Sequence, residues 1–71
     1  MTVNEMKTLC DRLDRALQQR QVVRAAGIRG EVDAIYGPYH GKIMVGSRGS
    51  SRTVAPEAIT VDGQPVEVHN G

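Results

Sequence analysis

Phenylalanine and tryptophan are absent from this chain, and Tyr36 and Tyr39 supply its only large aromatic rings. A core built without such rings must come from Val, Ile, Leu, Met and Ala, each of which buries less area than an aromatic side chain. Cysteine is almost missing too: Cys10 stands alone, which excludes an internal disulfide and suits a reducing compartment. No apolar run approaches the length needed to span a bilayer, and the chain does not open with a charged stretch followed by an apolar one. The sequence therefore reads as cytoplasmic and free of the membrane.

At 71 residues the chain is one domain near the lower limit for independent folding, and a partner surface such as a second copy is expected to help. Its 24% charged residues rule out the compositional signature of disorder over most of the length, and the formal net charge is only +1. The distribution is uneven. Residues 1–19 balance to zero, residues 20–52 carry +4 and residues 53–71 carry −3. The basic middle consists of Arg20, Arg24, Arg29, Lys42, Arg48 and Arg52, opposed by Glu31 and Asp33.

Thr2-Val3-Asn4-Glu5 has the form of a capping box, in which a hydroxyl and a carboxylate each satisfy a backbone N–H at a helix start. Met6, Leu9, Cys10, Leu13, Ala16 and Leu17 then recur at three- and four-residue intervals, predicting an amphipathic helix over about residues 3–20. Such a helix is marginal alone, so its stripe must meet the rest of the chain or a second copy. Met6, Leu9, Leu13 and Ala16 approximate a coiled-coil spacing, which makes them the candidates for self-association as a homodimer. Cys10 on this stripe is read as a small buried hydrophobe.

Beyond Gln21 the period changes to two. A strand is expected over 31–36, a turn at 37–41, a strand at Lys42–Val45, a loop over Gly46–Arg52 and a strand from there to Val54. Pro56 suits the first position of a single helical turn, and Asp62-Gly63 between two Val-rich segments is a strong hairpin signal, with a strand expected on 66–68. Tyr36, in alternation with Val32 and Ala34, is expected in the core. The fold class is α+β: a helix on residues 1–20 followed on 21–71 by a small antiparallel, SH3-like β-barrel of five or so short strands.

The stretch Gly37-Pro38-Tyr39-His40-Gly41, then a basic segment, then Arg52 to Val61, resembles the KOW and SH3-like group of small barrels over residues 22–62. His40 stands where that pattern usually has a lysine, and Met44 where it has a further glycine. The resemblance implies a glycine-rich loop before a strand and one helical turn between the last two strands.

Gly46–Arg52 is the leading functional candidate. Glycines allow close backbone approach to a phosphate, hydroxyls and amides donate, and arginine grips phosphate in bidentate fashion. Arg48 and Arg52 are expected to hold phosphates, Tyr39 to stack on a base, and Arg24, Arg29 and Lys42 to add long-range attraction. His40 and His69 have no cysteine or carboxylate at ligand spacing, so neither metal nor cofactor is expected. The serines lack a base and an orienting group, so no catalysis is expected. Two classes of function follow. One is a small nucleic-acid-binding protein, with RNA or single-stranded DNA ahead of duplex. The other is a protein-interaction module, such as an adaptor or small inhibitor from a phage or plasmid, favoured by the near-neutral total charge.

Overall fold

In the computed structural model, which describes residues 2–66, helix α1 runs Val3–Gln18. Its capping box forms: the Glu5 N–H donates to Thr2 Oγ1 at 3.1 Å and the Thr2 N–H donates to Glu5 Oε1 at 3.0 Å. The helix stops two residues short of the expected end. The Arg20 N–H turns back to the Leu17 carbonyl and the Gln21 N–H to that of Ala16, with Arg20 at φ 61°. This double closure is the one a glycine normally makes, so an arginine there leaves no sequence signal.

Six short strands follow: β1 Val23–Ala25, β2 Ala34–Tyr39, β3 Lys42–Ser47, β4 Ser50–Val54, β5 Ile59–Val61 and β6 Gln64–Pro65. A 3₁₀ turn at Pro56–Ala58 joins β4 to β5, as the proline implied. The hairpin expected at Asp62-Gly63 forms with β6 at Gln64–Pro65; of the strand expected on 66–68, Val66 lies just past β6, and 67 and 68 lie outside the described residues. All pairings are antiparallel and make two three-stranded sheets, ordered β1-β5-β6 and β2-β3-β4. The α+β class therefore holds, while neither sheet closes on itself. The segment before β2 touches both: the Val32 N–H donates to the Val23 carbonyl and the Asp33 N–H to that of Gly46.

The helix stripe fills the space between the elements. Met6, Leu9, Cys10, Leu13 and Ala16 join Val23, Ala25, Val32, Ile43, Val45, Val54 and Ile59 in one buried cluster. Burying a leucine fully is worth about 1.5–3 kcal/mol, and Leu9 and Leu13 are both 0% exposed. Met6, Leu9, Leu13 and Ala16, the candidates for self-association, are covered by the chain's own strands, because an amphipathic helix tethered to a sheet meets it at far higher effective concentration than it meets another molecule.

Tyr36 corrects an expectation. Ile35 pairs with Val45 and Gly37 with Met44, so Tyr36 is the extra residue of a β-bulge. Ala34 and Tyr36 both lie against Gly46, on the face opposite that of the buried Val45, and Tyr36 is 63% exposed, its ring lying across Gly46.

Candidate nucleic-acid interface

The expected loop Gly46–Arg52 is mostly strand. β3 continues to Ser47 and β4 starts at Ser50, leaving Arg48-Gly49 as a two-residue turn with φ of 53° and 79°. Positive φ at both central residues suits the right-handed twist of a hairpin, and glycine at the second position removes half the steric cost. Arg52 thus belongs to β4, opposite Val45, so its side chain leaves the sheet on the same face as Val45.

Long-range contacts hold the turn against residues 29–33. The Arg48 N–H donates to Asp33 Oδ2 at 3.2 Å. Ser47 Oγ donates to the Glu31 carbonyl at 2.9 Å and approaches that of Arg29 at 3.5 Å. The Arg48 guanidinium leans over Gly30, where a Cβ would stand 3.2 Å from its Nε. Gly30 has φ 79°, so both its backbone and its lack of a side chain let Arg48 lie there.

Between these two segments lies a depression of about 280 Å³ whose lining includes Arg29, Arg48 and Arg52 together with Ile28, Ser47 and Ser50. Three of the six expected binding residues are therefore brought together, from segments up to 23 positions apart in the chain. All three arginines are exposed, and no salt bridge engages their guanidinium groups among the described residues. The volume falls just under the roughly 300–1,000 Å³ of sites for drug-sized ligands, which leaves room for one small group and not for a whole dinucleotide cofactor.

The other three expected residues stand elsewhere. Arg24 is exposed on β1 opposite Thr60, in the other sheet. Lys42 opens β3, about 16 Å along the strand from Ser47. Tyr39 is half exposed, as a surface residue should be, but its ring meets His40 edge-on at 4.4 Å and does not line the depression. Ser47 also departs from its expected role. Its hydroxyl is buried and bound to backbone, so it ties the site together where a phosphate donor was expected. Ile28 and Gly30 were not singled out by sequence, since nothing local marks an isoleucine as a wall or a glycine as a rest for an arginine 18 residues away.

Cys10, buried on the helix stripe, is held above its usual thiol range, first by burial and then by Asp14 and Asp11 on the same helix. It stays protonated and unreactive there. A second depression of about 270 Å³ beside it is lined by Lys7, Asp11, Asp14, Tyr36 and Pro38, a mixture of charges with no net pull on an anion. Among the described residues no three His, Cys, Asp or Glu side chains gather as a metal site, and no helix is long and apolar enough to cross a membrane. Comparison with known proteins adds nothing to this geometry: no family model, curated protein or solved structure matches the chain.

Proposed function

We propose that this is a small, non-enzymatic nucleic-acid-binding protein that holds a phosphate backbone with Arg29, Arg48 and Arg52. One observation carries the reading: three guanidinium groups, one from residue 29 and two from the β3–β4 hairpin, rim one depression, with no salt bridge to satisfy them among the described residues. Arginines so placed repel one another and are stabilised by an anion bound between them. A nucleic-acid backbone offers such anions at regular spacing, and the two-point grip of a guanidinium matches phosphate geometry. The free and buried Cys10 suits action in the reducing cytoplasm.

The kinship proposed with SH3-like barrels is supported by the pairing of β1 with β5, by the meander β2-β3-β4, by the 3₁₀ turn before β5, and by residues 32–33 bonding to both sheets. Such a frame presents the β3–β4 turn as a rigid projection.

The test is fluorescence anisotropy with a labelled mixed-sequence oligonucleotide over a range of NaCl. Neutralising about three phosphates of a single strand gives a slope of log affinity against log salt near −2, at roughly −0.7 per phosphate. Arg48→Ala with Arg52→Ala should bring it to about −0.7 and weaken binding at every salt concentration. Unchanged binding by the double variant at low salt would refute the proposal.

A second reading, a protein-interaction module, is favoured by Tyr36 and Tyr39, which are 63% and 50% exposed outside the arginine depression. Tyrosine is enriched at protein interfaces. Capture from a nuclease-treated lysate, compared between wild type and Tyr36→Ala, separates the two readings: partners lost with the ring support this one.

A further inference from the structure

We propose that the depression seats a single unstacked base, with the flanking phosphates held at its rim, so that the protein selects single strands over duplex. This rests on the nucleic-acid reading above and assigns the part of the ligand that enters the site.

The argument starts from where the donors are. The hydroxyl hydrogen of Ser47, the one buried hydroxyl of the lining, is directed to the Glu31 carbonyl at 2.9 Å, while the hydroxyl of Ser50 is exposed and belongs with the rim. Val45 closes the floor, fully buried, and the half-buried Ile28 forms an apolar wall. A phosphate pushed down there would lose water without gaining a hydrogen bond, which is strongly unfavourable. The charged donors, Arg29 on one side and Arg48 and Arg52 on the other, are all exposed and so belong to the rim. The site is thus layered: cations above, uncharged and apolar surface below.

A nucleotide in a single strand is layered in the same order, with phosphates outside and a flat ring that can be turned away from them. Splayed bases stack on aromatic rings or on the planes of arginines, and bases turned into pockets also pack against apolar side chains; arginines and an apolar side chain are present here. The Ser47 oxygen keeps acceptor capacity after donating its hydrogen and can receive a base N–H. The volume of about 280 Å³ admits one such ring. In duplex the rings are paired inside the stack, and only phosphates are offered to a concave surface. Tyr39, the ring expected to stack, lies outside the depression, so the apolar contact passes to Ile28.

The experiment compares three labelled probes with the same number of phosphates at one salt concentration: oligothymidylate, an abasic strand of the same length, and a duplex. Oligothymidylate is expected to bind about fivefold more tightly than either of the others, the lower end for one stacked base, since no aromatic ring lines the depression. Ile28→Ala, checked for folding by circular dichroism, should shrink that advantage, and an undiminished advantage in this variant overturns the base seat. Equal affinity for oligothymidylate and the abasic strand, with both weakened by Arg48→Ala/Arg52→Ala, overturns the base seat and leaves the phosphate reading standing. Duplex binding as tight as oligothymidylate overturns the seat in the same way. Binding of none of the probes at low salt removes both.

Discussion

The turns at the two ends of β3 have nearly the same backbone and very different surroundings. His40-Gly41 closes the pair Tyr39–Lys42 with φ of 48° and 77°, and Arg48-Gly49 closes the pair Ser47–Ser50 with φ of 53° and 79°. Each places a non-glycine residue in the left-handed region and a glycine after it. Among the described residues the first turn carries an edge-on contact between its own neighbouring rings and no side-chain hydrogen bond. The second is bound by the Asp33 carboxylate, by Ser47 reaching the Glu31 carbonyl, and by Arg48 leaning on Gly30. A hairpin tip becomes a site through what is packed behind it. The turn geometry is common to both.

The largest effect tests what the two turns share. Ile43 and Val45 of β3 lie in the same cluster as Leu13, so Leu13→Ala should cost about 2–5 kcal/mol in urea unfolding and loosen both ends together. Amide exchange that accelerates at one turn only would show that β3 is not a single rigid strut.

Glycine substitutions separate the turns. At neither Gly41 nor Gly49 would a Cβ meet any atom within 4 Å, so Gly41→Ala and Gly49→Ala should each cost about 1–2 kcal/mol from the backbone alone. Oligonucleotide affinity should fall only for Gly49→Ala, and an equal fall in both would erase the functional distinction between them. A smaller effect is expected for Asp33→Ala. It frees the Arg48 N–H at a cost of about 0.5–1.5 kcal/mol and leaves the His40 turn untouched, as chemical shifts of the two turns can report.

The smallest effect concerns the thiol of the shared core. Cys10 holds its proton to higher pH folded than unfolded, so this contribution is complete at neutral pH and fades as pH climbs above the ordinary thiol range. Alkylation by iodoacetamide at pH 8 should be slow in buffer and fast in urea. Equal rates would place Cys10 outside the core.

Features encoded by close neighbours were legible. The capping box spans three positions, the helix stripe repeats every three or four, and Asp62-Gly63 announces its own hairpin. His40-Gly41 and Arg48-Gly49 use the same geometry, but their first residues carry weaker turn preference than aspartate, and the sequence reads the first as a turn over 37–41 and the second as a loop over Gly46–Arg52. The bulge at Tyr36 left no mark, because an extra residue in one strand is defined only by its partner strand.

The sequence by itself determined that a capped amphipathic helix precedes short antiparallel strands, since those choices are made by hydrogen bonds and side chains within one turn or one hairpin. Tertiary structure alone decided that the helix stripe is covered by its own strands, that Tyr36 faces outward, and that Arg29, Arg48 and Arg52 converge while Arg24 and Lys42 do not. The contacts responsible join residues 15 and 16 positions apart, Arg48 to Asp33 and Ser47 to Glu31. Pairings over that distance depend on strand register, and register is set by the burial of the whole core.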